Sequence, residues 1–319
     1  MIPYQEKRFV LGSDAVLTIV HPSPKAARRL LADLWRQIDE FDARFSRFRP
    51  DSELSKLNAY AGHTITVSPA MLRFLQISKD YAAETNGLFN PLVLPSLQQA
   101  GYVGAWCDNK TVTGDPSLDY SDRRLHKIAA LHICGDRVGL PADAAIDSGG
   151  IGKGYLLDEL ADFIDGKCEG YWLSLGGDII CGGHDHHGKP WTLGVQAAEH
   201  PMVIAYARQT PGQRLAVATS GVTKRHGKKG QREWHHLIDP RTGFSSDSDI
   251  LTASVAADTA TTADIYASCA VIVGSQKAGE LLESRGLDGL LQTHYTTKHS
   301  QPLVSIGHQF TTPKETLPV

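Results

Sequence analysis

Residues 145–155 combine a carboxylate, four glycines and a lysine in the order Ala-Ile-Asp-Ser-Gly-Gly-Ile-Gly-Lys-Gly-Tyr. Glycine permits sharp turns and close approach of a ligand, and the start of a helix offers unpaired N–H groups at the positive end of its dipole. Lys153 would add a full positive charge at the same place. The segment therefore predicts an anion-binding site, with a glycine-rich turn beside an exposed lysine as the structural alternative.

The spacing in this segment differs from that of the two best-known phosphate-binding loops. A P-loop has a glycine five residues before its Gly-Lys pair and Ser or Thr after it, whereas these positions hold Asp147 and Gly154. A dinucleotide-binding fingerprint requires G-x-G-x-x-G, but Gly150, Gly152 and Gly154 follow G-x-G-x-G. Neither a P-loop nor a Rossmann domain is predicted.

A second set of candidate side chains is rich in oxygen ligands and consists of Asp178, Thr219, Ser220, His236, Asp239, Asp264 and Ser268. Asp264 and Ser268 are four residues apart, which places them on one face of a helix. Such a pair suits a hard cation such as Mg²⁺, which takes one or two carboxylates together with phosphate oxygens. The alternative is a helix carboxylate followed by a small packing serine.

The composition is that of a globular protein with a net charge of −3 over 319 residues. No overall excess of basic residues suggests a nucleic-acid partner. The five cysteines form no C-x-x-C pair, which favours buried thiols in a reducing compartment. No signal-like or membrane-spanning apolar run is present, so we expect a cytoplasmic protein without a transmembrane segment, with an exported protein whose leader has been trimmed as the alternative.

The hydrophobic pattern predicts a single α+β domain over residues 1–319, with a mixed β-sheet core and flanking helices. Helices are expected after Ser23 and between Ser68 and Gly87, and also at 155–164 and 259–273. Strands are expected at 8–20 (broken near Gly12), 128–140 (two), 171–175, 191–195, 202–207, 215–219, 251–255 and 289–292. Irregular segments are expected at 88–95, at 107–124, in the His184–His187 turn, in a mobile basic loop at 224–230, and in a polar tail.

Seven segments, taken in order, resemble the ApbE family, the FAD:protein FMN transferases. They are FSRFRPDSELSKLN (45–58), NGLFNP (86–91), IDSGGIGKGY (146–155), LGGD (175–178), ATSG (218–221), HLIDPRTG (236–243) and ADIYAS (263–268). The resemblance covers roughly residues 9–289. It implies a Mg²⁺-dependent enzyme that transfers the FMN half of FAD to a Thr or Ser hydroxyl of an acceptor flavoprotein and releases AMP. Two alternatives are an FAD pyrophosphatase that yields FMN and AMP, and a non-catalytic FAD-binding protein.

By position, the resemblance assigns a role to each site residue. The metal ligands would be the side chains of Asp264 and Ser268 and the backbone carbonyl of Gly150. The FAD contacts would be Asn90, Asp147, Lys153, Ser220 and Leu237, with Lys153 also contributing to catalysis. His236 would lie beside the reacting centre, where it could act as a general base or have a structural role.

The chain departs from the family pattern at several of these positions. Asn90 and Leu92 stand where the family usually has Asp and Thr, which removes a carboxylate and a hydroxyl near the expected flavin pocket. Val222 and Ser174 replace an Asp and an Asn. Ser268 replaces a Thr but keeps a hydroxyl, so metal binding is expected to persist.

Overall fold

The computed structural model describes residues 2–104, 106–107, 110–111, 118, 120, 122–229, 231–294 and 303–313. The chain folds into two compact units. Unit 1 comprises Met1–Ile38, Lys153–Thr223 and Ser248–Val319, and unit 2 comprises Asp39–Gly152 and Lys224–Asp247. Both contain helices and strands, which confirms the α+β class. That the whole chain acts as one domain stays a prediction.

Unit 1 is built on an eight-stranded antiparallel sheet with the order β1-β2-β8-β9-β12-β17-β18-β19. The strands are β1 (Pro3–Val10), β2 (Ser13–Val20), β8 (Gly170–Leu175), β9 (Asp178–Gly183), β12 (Leu215–Gly221), β17 (Ile250–Ala257), β18 (Asp288–Thr293) and β19 (Leu303–Ile306). Leu11 and Gly12 join β1 to β2 with φ values of 53° and 68°, and Gly176 and Gly177 join β8 to β9 with 65° and 99°. Positive φ at both central residues is characteristic of the type I′ turn that joins two-residue hairpins.

A smaller antiparallel sheet in unit 1 consists of β10 (Thr192–Gln196), β11 (Val203–Arg208) and β20 (Phe310–Thr311). Its apolar side chains share a buried cluster with those of the large sheet. The cluster includes Trp191, Leu193, Val195, Leu215, Val217, Leu290 and Phe310. Burial of these side chains is the main stabilising contribution in this part of the fold.

Three helices lie wholly or almost wholly in unit 1, namely α5 (Gly152–Ile164), α6 (Ala260–Val273) and α7 (Ser275–Glu283). Helix α6 is buried along most of its length and packs against β12 and β17. Helices α5 and α6 exchange hydrogen bonds at their N-terminal ends. The Asp158 carboxylate on α5 accepts the N–H groups of Ala260 and Thr261, while the Asp264 carboxylate on α6 accepts the N–H of Gly154.

Helix α1 (Pro24–Phe45) begins in unit 1 and ends in unit 2. Unit 2 adds α2 (Glu53–Ala59), α3 (Pro69–Glu84) and α4 (Leu94–Ala100). Its strands are β3 (Thr64–Thr66), β4 (Trp106–Cys107), β5 (Lys110–Thr111), β6 (His132–Cys134), β7 (Arg137–Gly139), β13 (His226–Lys229), β14 (Arg232–His235), β15 (Ile238–Asp239) and β16 (Phe244–Ser245). The rings of Phe41, Phe45 and Phe74 meet in its core at centroid distances of 4.6 and 4.7 Å.

Most predicted elements are confirmed, and the caps explain why. Ser68 is the N-cap of α3 and Thr259 that of α6, each accepting the backbone N–H three residues later. Three predictions of irregular structure were wrong. Residues 91–93 form a 3₁₀ turn that leads into α4, the basic segment at 226–229 forms β13, and the polar tail contains β19 and β20. Most of the expected surface connection at 107–124 lies outside the described residues.

The cysteines follow the prediction in part. Cys181 and Cys269 are buried, whereas Cys134 is exposed and Cys168 is partly exposed. Burial raises the pKa of both buried thiols to about 12, because it penalises the thiolate. Within the described residues, no helix is long and apolar enough to cross a bilayer.

Gly154 is expected to be essential for the packing of α5 on α6. A Cβ at this position would lie 2.5 Å from the carbonyl oxygen of Ala260, so Gly154→Ala should destabilise the fold by about 1–3 kcal/mol through overpacking. Gly279 in α7 is the matched control, since a Cβ there meets nothing within 4 Å and Gly279→Ala should stabilise by about 0.5–1 kcal/mol. Urea unfolding of both variants checks this, and equal changes in stability would contradict the packing argument.

Candidate functional site

Lys153, the second residue of α5, is paired with a buried carboxylate. Its Nζ forms an ion pair with Oδ2 of Asp178, the first residue of β9. Asp178 is 1% exposed, and its Oδ1 accepts the N–H of Thr219 at 3.1 Å. Lys153 therefore has a structural role that the sequence did not predict, in addition to the phosphate contact that stays a prediction.

Asp264 and Ser268 lie one turn apart on α6, as predicted. The Asp264 carboxylate is 4% exposed and accepts the Gly154 N–H at 3.2 Å. No Lys, Arg or His within the described part of the chain forms an ion pair with it. Buried charges in proteins are normally paired or bound to metal, so the donor set of one carboxylate and one hydroxyl fits a hard cation.

A row of hydroxyl groups connects α6 to the central sheet of unit 1. The Oγ atoms of Ser268 and Ser220 are 2.8 Å apart. One residue before Ser220, Thr219 Oγ1 lies 2.7 Å from Oγ of Ser254, its partner on β17. A serine side chain rotates about χ1 more freely than a threonine side chain, which has a second substituent on Cβ. The hydrogen bond between Ser220 and Ser268 therefore restricts the rotation of the Ser268 side chain.

Asp147 forms a buried ion pair in unit 2. Its Oδ1 accepts Nε of Arg47 at 2.9 Å, and its Oδ2 accepts the N–H of Gly149 at 3.0 Å. A Cβ at Gly149 would lie 2.6 Å from the same Oδ2, so a larger residue here would have to displace the ion-paired carboxylate. Arg47 therefore neutralises the carboxylate that the resemblance assigns to FAD binding.

Arg47 was missed by the sequence analysis. It is only 6% exposed, and its guanidinium lies 4.1 Å from the ring centroid of Phe48 and 4.9 Å from that of Tyr102. A desolvated arginine over aromatic rings gains a favourable cation–π interaction. Arg47 lies in one of the seven segments that resemble the family, but this segment is polar and turn-rich, and arginine in such a segment is usually solvated.

Asn90 uses its side chain to build the loop around it. Its Oδ1 accepts the N–H of Leu92 at 3.0 Å, and its Nδ2 donates to the carbonyl oxygen of His126 at 2.8 Å. An ionised aspartate could accept the first bond but could not donate the second. Asparagine, unlike an ionised aspartate, can therefore make both of these bonds. A contact between Asn90 and the flavin stays a prediction.

His236 follows β14, and its backbone nitrogen and Nδ1 both face the same carbonyl group. Its N–H donates to the carbonyl oxygen of Arg225 at 3.0 Å, and its Nδ1 lies 3.4 Å from the same oxygen. The tautomer protonated on Nδ1 can donate to that oxygen, which leaves the lone pair on Nε2. Burial lowers the pKa of the neighbouring His235, so that imidazole stays neutral to lower pH than usual.

The residues after His236 are held by local bonds. The carbonyl of the buried Leu237 accepts the N–H of Ser246 at 2.9 Å. Arg241 binds Asp239 through Nε to Oδ1 at 2.9 Å and Nη2 to Oδ2 at 2.8 Å. Burial alone would raise the pKa of Asp239, but the side-chain and backbone hydrogen bonds from Arg241 outweigh it and lower the pKa. Asp239 is therefore ionised, and its ion pair with Arg241 stabilises the turn.

The predicted site residues divide between the two units. Unit 1 holds Lys153, Ser220, Asp264 and Ser268, and unit 2 holds Asn90, Asp147, Gly150, His236 and Leu237. Within unit 1, Ser220 contacts Ser268 directly. The convergence of the Gly150 carbonyl with Asp264 and Ser268 on one cation stays a prediction.

A lysine at the start of a helix and a carboxylate one turn from a hydroxyl fit an anionic ligand and a hard cation. Comparison with known proteins identifies the family. Residues 11–291 match the ApbE family, and the chain belongs to that family. The FAD:protein FMN transferase of Treponema pallidum (strain Nichols) is 24% identical over 307 residues, covering 90% of this chain and 83% of the relative. The FAD:protein FMN transferase of Vibrio cholerae serotype O1 is 26% identical over 280 residues, covering 86% and 82%.

Solved structures show that the fold is shared as well. An ApbE protein from Thermotoga maritima superposes with a TM-score of 0.81 at 22% identity, covering 96% of this chain and 97% of the other. The apo form of the flavinyl transferase ApbE from Pseudomonas stutzeri gives a TM-score of 0.78 at 19% identity, covering 96% and 95%. At this level of identity the structural likeness establishes the fold.

Proposed function

We propose that this protein transfers the FMN moiety of FAD to a Thr or Ser hydroxyl of an acceptor flavoprotein and releases AMP. Family membership over residues 11–291 and the names of the relatives support this activity. The structural observation that carries it is the buried Asp264 carboxylate, one turn from Ser268 and without a cationic partner among the described residues. In the reaction, the acceptor oxygen bonds to the phosphorus of the FMN half, and the bond from that phosphorus to the AMP oxygen breaks.

The cation we propose is Mg²⁺, held by Asp264, Ser268 and the carbonyl of Gly150. When bound, it supplies positive charge that stabilises a diphosphate and the departing AMP. Lys153, whose charge is shared with its partner Asp178, directs a cationic group to the N-terminal end of α5, where the helix dipole also favours an anion. Asp147, neutralised by Arg47, can accept a hydrogen bond from FAD without repelling its phosphates.

His236 is the residue we propose for removal of the proton from the acceptor hydroxyl. Nδ1 lies 3.4 Å from the Arg225 carbonyl oxygen, and in the tautomer protonated on Nδ1 the basic nitrogen is Nε2. Asp239 is the weaker candidate, because both of its oxygens bind Arg241 and its pKa is lowered. A neutral imidazole can accept a proton around neutral pH, which suits a histidine to general-base catalysis.

One assay tests the proposal against its two rivals. The protein is incubated with FAD and Mg²⁺, with and without a candidate acceptor flavoprotein, and AMP, free FMN and covalent flavin on the acceptor are measured. Transfer gives AMP and covalent flavin in equal amounts. Equal amounts of AMP and free FMN, unchanged by the acceptor, would identify an FAD pyrophosphatase. Bound FAD without AMP would identify a non-catalytic flavin-binding protein.

The hydroxyl pair at the proposed cation site leads to a further prediction. Ser220→Ala should raise the Mg²⁺ concentration for half-maximal AMP release about 2–10-fold, because the lost hydrogen bond is worth about 0.5–1.5 kcal/mol. In a Ser268→Thr background, Ser220→Ala should raise this Mg²⁺ concentration by a smaller factor, since threonine restricts its own χ1 rotamer. Mg²⁺ titrations and Mn²⁺ binding followed by electron paramagnetic resonance measure both. An identical loss in the two backgrounds would show that Ser220 does not orient the ligand.

A further inference from the structure

The hairpin formed by β13 and β14, with the two residues before it, is strongly basic. Residues 224–235 contain five Lys or Arg residues and one Glu, whereas the whole chain has 32 Lys and Arg against 35 Asp and Glu. We call residues 224–229 and 231–235 the basic hairpin. Lys224, Lys228 and Lys229 are exposed to solvent.

Packing holds the basic hairpin in place within unit 2. Trp234 is buried and stacks on Tyr102 with a centroid distance of 6.1 Å. Its ring packs closely on two glycines: a Cβ at Gly101 would lie 3.0 Å from the ring, and a Cβ at Gly227 would lie 2.8 Å from it. At the outer end, Nζ of Lys229 donates to the carbonyl oxygen of Gln99 at 2.8 Å. The cations are therefore presented by an anchored element.

The basic hairpin is joined directly to His236. Its last rung pairs His226 with His235, and the next N–H, that of His236, donates to the carbonyl oxygen of Arg225 at 3.0 Å. Lys228 forms a cross-strand ion pair with Glu233 at 2.7 Å, with 71% and 75% of the two side chains exposed. This pair is largely exposed to water, so Lys228 can exchange Glu233 for a partner's carboxylate at little cost.

We propose that the basic hairpin docks an acidic segment of the acceptor protein next to the hydroxyl that becomes modified. The inference rests on the proposed function, because it assumes that the acceptor hydroxyl approaches His236. Exposed lysines give specificity and faster association with an oppositely charged partner, and they do so in a salt-dependent way. The position of these lysines beside His236 favours an acidic segment of the acceptor over a nucleic acid or an anionic membrane, and the test includes all three.

The test uses three fluorescein-labelled peptides of equal length with one central Thr, flanked by four Asp or Glu, four Asn or Gln, or four Lys residues. Their binding to the full-length protein is followed by fluorescence anisotropy at low salt. We expect the acidic peptide to bind about fivefold more tightly than the neutral one, and the lysine peptide most weakly. The preference should decline as the NaCl concentration rises past the point where the Debye length falls below about 8 Å.

The variant Lys224→Gln/Lys228→Gln should lose most of this preference while its FAD affinity stays unchanged. Lys277→Gln, on the exposed surface of α7, is the matched control and should retain it. Equal binding of the acidic and neutral peptides would overturn the proposal. So would a loss of FAD affinity in the double variant, or tighter binding of a single-stranded oligonucleotide or phosphatidylserine vesicles through the same lysines.

AMP release from FAD is measured on the same samples, which separates this inference from the proposed function. If the acidic peptide is preferred but neither AMP nor covalent flavin is formed, the docking surface is supported and the proposed transferase activity is contradicted. If AMP is released and the acceptor is flavinylated but acidic peptides are not preferred, the transferase activity is supported and the docking surface is contradicted.

Discussion

Replacing His236 with alanine is expected to lower FMN transfer by about 10²–10⁴ while FAD affinity changes by no more than about a few fold, the usual effect of losing a positioned general base. The substitution removes the imidazole but not the backbone N–H that bonds to Arg225, so the local chain path should persist. FAD binding is measured by quenching of flavin fluorescence, and transfer by the rate of AMP release with an acceptor.

The pH profile separates a base from a structural residue. Only neutral imidazole accepts a proton, so the transfer rate of the wild type should fall as the pH decreases, and the residual rate of His236→Ala should lose that dependence. His235 cannot supply the same profile near neutrality, because burial lowers its pKa. His132→Ala, an exposed position on β6, controls for loss of a histidine. Lost FAD affinity together with an unchanged profile would assign the base elsewhere.

Replacing Lys153 with alanine is expected to affect both folding and FAD binding. The buried Asp178 would lose its counter-ion, and breaking a buried pair costs about 3–5 kcal/mol, with the lower end appropriate for a lysine that keeps some exposure. Loss of a charged hydrogen-bonding partner for phosphate should weaken FAD binding by about 10–100-fold. A single variant cannot separate these effects.

The double variant Lys153→Met/Asp178→Asn separates them. It leaves no unpaired buried charge, so much of the stability lost in Lys153→Ala should return in urea unfolding. FAD affinity should stay low, because the positive charge at the start of α5 is still missing. Lys277→Met on α7 is the control for a surface lysine. If FAD affinity recovers along with stability, Lys153 serves only Asp178 and its phosphate role is wrong.

Local sequence signals predicted much of the fold. The N-terminal caps Ser68 and Thr259 and the glycine turn at Gly176 act over three or four residues, a range within which residue type constrains conformation. The basic segment at 224–230 misled us because its charges suggested a solvated loop. Its pairing with β14 depends on Trp234, whose partners Gly101 and Tyr102 are more than one hundred residues away.

The sequence predicted which residues belong to the candidate site, but it did not predict which of them contact one another. The helical spacing of Asp264 and Ser268 placed them on one face, whereas the contact of Ser268 with Ser220 required the packing of α6 on β12. The pairing of Arg47 with Asp147 likewise joins residues one hundred positions apart. No periodicity or motif encodes such a contact, because it arises only when distant elements meet.

The exchange of hydrogen bonds between α5 and α6 limits how the protein can change in length. Asp158 must face Ala260 and Thr261, while Gly154, one turn earlier, must face Asp264. A helix rotates by about 100° per residue, so inserting or deleting one residue between positions 154 and 158 would turn one of these groups away from its partner. We therefore expect relatives to vary in length at surface turns and to keep a constant four-residue interval here.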